Sequence, residues 1–282
     1  MSGRLYLVGT PIGNLGDLSP RAAETLEQAD FIAAEDTRVS LKLLNHLGLR
    51  KPMVSYYEHN ARQSGARILE RLLAGESCAL VTDAGMPAIS DPGEDLVRLC
   101  GEAGVEVVAV PGPSALIAAV ALSGLSSGRF TFEGFLPTAR KSRQKQLDSL
   151  REETRTMVFY EAPHKLRGTL ADLRDCFGAD RALALCRELT KLHEEVLRMR
   201  LGEACDYYEE TEPRGEFVLV VAGTQEGDAA SDPTAALKRA LELADHGLSA
   251  RDAVRQAAEE RSVSRSELYR AFQEARKNSK EE

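Results

Sequence analysis

The segment Thr82-Asp83-Ala84-Gly85-Met86-Pro87-Ala88-Ile89-Ser90-Asp91-Pro92-Gly93 holds two aspartates whose surroundings suggest different chemistry. Asp83 ends the apolar run Cys78 to Thr82, and Gly85 follows two residues later, where bare backbone can approach a ligand closely. A carboxylate in that position accepts hydrogen bonds from an amine or hydroxyl of a bound cofactor. Asp91 precedes Pro92 and stands three residues before Glu94, the pattern of a helix cap, a first-position proline and a first-turn acid. Asp91 is therefore expected to cap a helix. A magnesium site built from Asp83, Asp91 and Glu94 is the competing idea, and it conflicts with that capping role.

Two further loops follow apolar runs. In Gly9-Thr10-Pro11-Ile12-Gly13-Asn14-Leu15 the glycines stand four apart, which matches neither the dinucleotide fingerprint nor a phosphate-binding loop. A tight turn with no ligand would use much the same residues. In Val110-Pro111-Gly112-Pro113-Ser114-Ala115 the chain turns into a helix of small residues, whose free N–H groups suit a carboxylate or phosphate. Close helix packing explains the small residues equally well.

These loops need strands to carry them. Leu5 to Val8, Phe31 to Ala34, Met53 to Tyr56, Cys78 to Thr82 and Val105 to Val110 are short β-rich runs bounded by turn residues. Helical stretches lie between them; in Ala61 to Leu73 the residues Ala61, Ile68, Leu69, Leu72 and Leu73 make one apolar stripe. Alternation of this kind predicts a parallel sheet in an α/β domain over residues 1–112, with the loops at the carboxyl ends of the strands. Residues 113–223 read as a second α/β domain with a mixed sheet. Its strands are Arg129 to Phe135, Thr156 to Tyr160, Ala182 to Arg187, Glu194 to Arg200 and Glu216 to Ala222, with helices near Ser114 to Leu122, Lys141 to Glu152 and His164 to Cys176.

Residues 224–233 have linker composition. Residues 234–282 read as three helices, from Thr234 to His246, on to Glu260, and on to Lys277, divided by the capping boxes Ser249/Asp252 and Ser264/Glu267. They form either a helix-turn-helix or a small helical cap docked on the body.

Over 282 residues the hydrophobic share is 43% and the charged share 28%, an ordinary globular mixture. No apolar run approaches the ~20 residues of a membrane span, and the short run after Met1 lacks the features of a signal peptide. The five cysteines, Cys78, Cys100, Cys176, Cys186 and Cys205, show neither CxxC nor zinc spacing, so reduced thiols and a cytoplasmic location are expected. No metal is implied. The net charge of −8 argues mildly against a general nucleic-acid binder. Arg140 to Lys145 and the group Arg187, Lys191, Arg198 and Arg200 are nevertheless locally basic, and local patches decide whether a phosphate backbone is held.

Taken in order, the stretches Val8 to Leu15, Ala34 to Arg38, Thr82 to Pro87, Pro111 to Ala115, Gly134-Phe135-Leu136-Pro137, Tyr160 to Lys165, Arg187 to Glu195 and Arg214 to Glu216 resemble the tetrapyrrole methylase superfamily. Within it the nearest resemblance is to the ribosomal RNA small subunit methyltransferase I family. The first loop is less glycine-rich than in tetrapyrrole methylases proper, which favours the RNA-modifying branch.

The resemblance implies two α/β domains with S-adenosylmethionine in the cleft between them, plus a small C-terminal helical domain. It implies methyl transfer to the 2′-oxygen of a cytidine in the decoding region of 16S rRNA, within the 30S subunit, by a homodimer. The cofactor would lie between Pro11, Asp83, Gly85, Ile89, Ser114 and Ala115 on one side and Tyr160, Leu189 and Gly215 on the other. A ribose hydroxyl needs a base to take its proton. Glu35, Asp36, Glu58, His59, Glu161, His164, Glu188 and His193 are candidates near strand ends, and Glu35 with His59 is the leading pair. Arg38, Arg140, Lys141, Arg143, Lys165, Arg187 and Lys191 would hold RNA. The rival functions are a methylase of a precorrin-like small molecule and a regulator without catalysis.

Overall fold

A computed structural model describes residues 2–224, 233–260, 263 and 265–278. Residues 225–232 of the expected linker, and Ser264 of the second capping box, lie outside the described residues.

The first sheet contains β1 (Arg4–Val8), β2 (Phe31–Ala34), β3 (Met53–Ser55), β4 (Cys78–Val81) and β5 (Glu106–Val110). All its pairings are parallel, in the order β3-β2-β4-β1-β5. Side chains alternate across it, as the two-residue repeat of a strand requires. Phe31, Ala33, Cys78 and Leu80 pack with Ile68 and Leu72 of α3 (Ala61–Leu73) and with Leu96 and Cys100 of α4 (Glu94–Glu102). Ile32, Ala34, Ala79 and Val81 pack with Ala22 and Leu26 of α1 (Pro20–Gln28) and with Leu44 of α2 (Thr37–His46). Each buried leucine or isoleucine there contributes about 1.5–3 kcal/mol.

The second sheet contains β6 (Phe130–Phe135), β7 (Thr156–Glu161), β8 (Ala182–Arg187), β9 (Glu195–Arg200) and β10 (Phe217–Val221), in the order β6-β7-β10-β8-β9. Only β6 and β7 run parallel; the other pairings are antiparallel. One face packs against α6 (Arg140–Ser149), α7 (Leu166–Phe177) and α8 (Leu201–Glu210). The other face receives α5 (Ala115–Ser123), whose Leu116, Ala119 and Val120 lie against Val158, Ala184, Val218 and Val220. The architecture is the expected pair of α/β sheets, the second of them mixed.

The C-terminal helices α9 (Pro233–Asp245), α10 (Ala250–Glu260) and α11 (Arg265–Asn278) share a separate core that includes Ala240, Leu243, Val254, Leu268 and Phe272. Ser249 caps α10, accepting the Asp252 N–H at 3.2 Å and donating to the Asp252 carboxylate at 2.6 Å. All five cysteines are free and buried.

One expectation is corrected. The helix anticipated from Asp91 begins three residues later, at Glu94, with Gly93 at its cap and no side chain bonded there. Gly93 has φ +152°, and a Cβ on it would stand 2.9 Å from that of Ala88. The chain folds back on its own loop at Gly93 and cannot run helically through Asp91. The helix α8 is an element that sequence patterning left unassigned.

Strand order decides what the loops can meet. Because β2, β4, β1 and β5 are consecutive neighbours, the segments leaving their carboxyl ends emerge side by side, each about 4.8 Å from the next. The loop after β1 and the loop after β4 are joined by Thr10 N–H to the Gly85 carbonyl (2.9 Å) and Gly85 N–H to the Thr10 carbonyl (3.1 Å). The loops after β1 and β5 touch backbone to backbone. A Cβ on Gly9 would lie 2.6 Å from Gly112 Cα, and one on Gly112 would lie 2.7 Å from the Gly9 carbonyl oxygen. Gly112→Ala is therefore expected to destabilise the protein by about 1–3 kcal/mol in urea unfolding. Gly128→Ala, at a glycine that faces open space, should stay within about 0.5 kcal/mol. Equal stability for the two variants would show that the close approach of Gly9 and Gly112 is not required.

Candidate active site

The loops at the carboxyl edge of the first sheet face one edge of the second, and a cavity of about 490 Å³ lies between them. On the first side it is lined by Ile12, Glu35, Thr82, Asp83, Ala84, Gly85, Met86, Ile89, Ser90, Asp91, Ser114 and Ala115. On the second side it is lined by Phe135, Tyr160, Glu161, Ala162, Pro163, Cys186, Leu189, Glu216, Phe217 and Val218. The second set falls on one edge because Phe217 is in register with both Glu161 and Arg187, and Phe135 with Tyr160. The ends of β6, β7 and β8 and the start of the antiparallel β10 therefore coincide.

Of the residues singled out from sequence, Glu35, Asp83, Gly85, Ile89, Ser114, Ala115, Tyr160 and Leu189 line this cavity. Pro11 precedes the lining residue Ile12, and Gly215 precedes Glu216. Gly215 has φ +84°, and a Cβ there would lie 2.5 Å from Glu188 Cγ, so its absence of a side chain serves the packing of that turn. His59 does not line the cavity. It is exposed and meets Tyr57 edge-on at 6.3 Å. The reason is strand order: the segment Glu58–Asn60 follows β3, the outermost strand, and β2 separates it from β4.

The first wall is acidic. Glu35 Oε2 accepts the Thr82 hydroxyl at 2.7 Å, and an Asp83 carboxylate oxygen accepts the Asp36 N–H at 3.1 Å. Burial pushes the Asp83 carboxyl above its usual range, and the charges of Glu35 and Asp36 add to the effect. Asp91 is pushed up to about 6, chiefly by burial and next by the charge of Glu35, against a hydrogen bond from Thr82. Asp91 is thus a cavity carboxylate and not a helix cap. Pro92 and Glu94 imitated a capping pattern, and Gly93, in the left-handed region, was the local signal against it. Glu161 lines the opposite wall but has both oxygens engaged, by Ala162 N–H at 2.8 Å and by the Thr169 hydroxyl at 2.5 Å. Among the described residues no group of three His, Cys, Asp or Glu side chains could hold a metal ion.

The second wall is largely apolar and aromatic. The Tyr160 hydroxyl accepts the Leu116 N–H at 3.1 Å, and Ser114 Oγ accepts that of Ile117 at 3.5 Å. Part of the anion-binding capacity expected at this helix start is therefore already used by the chain itself. Two loops bordering the cavity hold non-glycine residues with left-handed backbone: Ala88 and Ser90 (φ +66° and +63°), and Glu188 and Thr190 (φ +51° and +66°). Each such residue costs on the order of 1 kcal/mol, and strain of this kind gathers at functional sites.

The basic residues divide into two groups. Arg140, Lys141 and Lys165 are exposed, and Arg38 is exposed while paired with Asp36 at 2.6 Å. Arg143 is engaged by Asp172 and Thr169, Arg187 by Glu195, and Lys191 by Glu188 and Glu216. The Lys191 stem also fills the space beside Gly13, where a Cβ would lie 2.4 Å from its Cγ. Lys191 is part of the seam between the lobes.

Comparison with known proteins places this geometry in a family. Residues 4–205 match the family profile of tetrapyrrole (corrin/porphyrin) methylases. Among solved structures, a diphthine synthase superposes with a TM-score of 0.61 at 17% identity, covering 79% of this chain and 91% of that one. The uroporphyrin-III C-methyltransferase of Thermus thermophilus complexed with S-adenyl homocysteine superposes with a TM-score of 0.56 at 20% identity, covering 78% and 97%. At those identities the likeness shows the fold. Sequence relatives are closer. The ribosomal RNA small subunit methyltransferase I of Synechocystis sp. is 50% identical over 268 residues, covering 95% of this chain and 96% of that protein. The proteins of the same name from Pseudomonas aeruginosa and Bacillus subtilis are 45% and 42% identical, covering 95% and 96% of this chain and 96% and 94% of theirs. With relatives at this identity along almost its full length, the chain belongs to the ribosomal RNA small subunit methyltransferase I family, a branch of the tetrapyrrole methylases.

Proposed function

We propose that this protein is an S-adenosylmethionine-dependent methyltransferase acting on the ribose 2′-hydroxyl of a cytidine in the decoding region of 16S rRNA. The observation that carries this reading is the cavity between the sheets, acidic on one wall and apolar on the other. Its volume lies within the range of small-molecule sites. Carboxylates at Glu35, Asp83 and Asp91 suit a cationic sulfonium, and Ile12, Met86, Ala115, Leu189 and Val218 suit the apolar faces of a nucleoside. The residues present therefore fit the cofactor. When bound, S-adenosylmethionine supplies a methyl carbon on positively charged sulfur, open to in-line displacement with a neutral thioether leaving.

The protein's own groups do the rest. Asp83 accepts hydrogen bonds from the cofactor, and the close-packed loops at Gly85 and Ala115 let backbone approach it. Asp91 and Glu35 stand ready to receive the proton that leaves the ribose oxygen. A carboxylate with a pKa of about 6 is a better base than an unperturbed one and is still ionised at neutral pH. Holding the oxygen aligned with the breaking bond lowers the barrier by several kcal/mol. Arg140 and Lys141 begin α6, just beyond the edge strand that carries Phe135, and Lys165 follows the lining residue Pro163. These exposed cations are positioned to hold the RNA backbone.

The small-molecule reading is the weaker one, since the uroporphyrin enzyme shares only 20% identity. The reading includes a cytoplasmic homodimer that recognises rRNA in the 30S subunit. No helix among the described residues is long and apolar enough to cross a membrane.

Incubation with labelled S-adenosylmethionine and 30S subunits is expected to place label on one cytidine ribose, mapped by mass spectrometry and resistance to alkaline cleavage. Label in a tetrapyrrole and none in RNA would overturn the assignment. Asp83→Ala should weaken S-adenosylmethionine binding at least about tenfold in calorimetry, the loss of a charge-assisted contact of ~1.5 kcal/mol or more.

Asp91 makes a signed pH prediction. Its folded pKa of about 6 stands above the ordinary 3.8, so folding binds a proton more readily. Stability from this group is complete below about 3.8 and is lost as pH rises through about 6. Asp91→Asn should therefore stabilise the fold by on the order of 1 kcal/mol at pH 7.5, after allowance for solvent screening, and leave it unchanged near pH 3.5. In the same variant the rise of methyl-transfer rate through about pH 6 should disappear. A rise that persists unaltered assigns the base elsewhere.

A further inference from the structure

The segment Gly134-Phe135-Leu136-Pro137 has so far no role in cofactor binding or proton transfer. Leu136 is buried in the core under the second sheet, whereas its neighbour Phe135 is 59% exposed at the cavity. An aromatic ring left in water at the end of a strand has given up the stabilisation that burial would provide.

Its position comes from a β-bulge. Phe132 is in register with Val158, yet Gly134 is in register with Phe159, so Glu133 is the extra residue. Gly134 has φ +63°, a conformation suited to glycine. Had the register run on unshifted from Phe132, Phe135 would pair with Glu161. With the bulge, Phe135 pairs with Tyr160 and moves to the cavity face. The rings of Phe132 and Phe135 stand 5.0 and 5.6 Å from that of Tyr160, both edge-on, so Tyr160 braces Phe135 from behind and leaves its outer face open.

The opposite lip is built in a similar way. The left-handed backbone of Ala88 and Ser90 flanks Ile89, which is 48% exposed and lines the same cavity. Ser90 Oγ lies 3.7 Å from where a Gly134 Cβ would be, so the strained loop meets the bulge directly. Each lobe therefore contributes an exposed apolar side chain to a cavity that has one acidic wall.

We propose that Phe135 is the stacking platform for the nucleobase of the nucleotide being methylated. This rests on the assignment of an RNA ribose as substrate. Single-stranded and extruded bases present flat π-faces, and aromatic side chains stack on them whatever their hydrogen-bonding edge. A base held on Phe135 leaves its ribose to enter the cavity toward Asp91 and Glu35. The ring positions the nucleotide and does not identify it as cytidine.

The test uses the full chain with 30S subunits and labelled S-adenosylmethionine, comparing Phe135→Ala, Phe135→Leu and Phe135→Trp. A stack of about 1–3 kcal/mol predicts that Ala and Leu lower kcat/KM for 30S about 10- to 100-fold, while Trp stays within about threefold of wild type. S-adenosylmethionine affinity by calorimetry and melting temperature should stay near wild type in all three. Wild-type activity in Phe135→Leu would falsify the proposal, because leucine keeps the apolar bulk and lacks the flat face. Loss of cofactor affinity in parallel with activity would also overturn it, assigning the ring to the cofactor. If the wild-type chain labels no RNA, the substrate assignment itself fails and this inference falls with it.

Discussion

The site depends on one close contact: the backbone of the loop after β1 lies directly against that of the loop after β5, Gly9 on Gly112, with no room for a side chain. The same first loop is bridged on its other side to Gly85 by paired backbone hydrogen bonds. The contact of Gly9 with Gly112 leaves no space for a Cβ on either residue, and the Thr10 hydroxyl, donating to the Thr82 carbonyl at 3.2 Å, reinforces the bridge to the loop after β4. Three segments distant in sequence thereby become a single rigid surface. Asp83, Ile12 and Ser114 then line one cavity because the strands beneath them are immediate neighbours.

The electrostatics follow from that rigidity. Carboxylates at Glu35, Asp83 and Asp91 line one cavity, Glu35 and Asp91 half-buried and Asp83 more exposed, with the Thr82 hydroxyl donating to Glu35. Burial raises the proton affinity of Asp83 and Asp91, and the neighbouring charge of Glu35 adds to it. A mobile loop would relieve that pressure by moving apart; loops joined through their backbones cannot. The arrangement stores unfavourable energy in the free protein that a cation entering the cavity would release. Left-handed residues in the bordering loops, Ala88 and Ser90 on one side and Glu188 and Thr190 on the other, are a second store of the same kind.

The opposing wall uses different physics. Its residues come from two strand ends, a strand start and the end of an edge strand, brought to one level by the antiparallel pairing of β10 with β7 and β8 and the parallel pairing of β6 with β7. Tyr160 links it to the first sheet's last loop by accepting a hydrogen bond from the start of α5. Lys191, placed among the RNA contacts on its sequence neighbours, is held instead by Glu188 and Glu216 and packs against Gly13. A basic residue next to a site can be part of its frame, and only its partners distinguish the two uses.

Sequence by itself determined the two-sheet α/β class, because strand and helix periodicities are local and each element writes its own. It also marked Asp83, Gly85 and Ser114, which line the cavity, as candidates, since each carries turn or helix-start chemistry in its immediate neighbours. Tertiary structure alone decided which strand ends are adjacent. It thereby brought Glu35 to the cavity and left His59 outside, although both follow strands in the same lobe. It also decided Asp91 and Phe135. A local capping pattern disguised the first, and the second turns on one extra residue that exists only in the register between β6 and β7. Local conformation is encoded within a few residues, whereas register, strand order and desolvation are properties of pairs far apart in the chain.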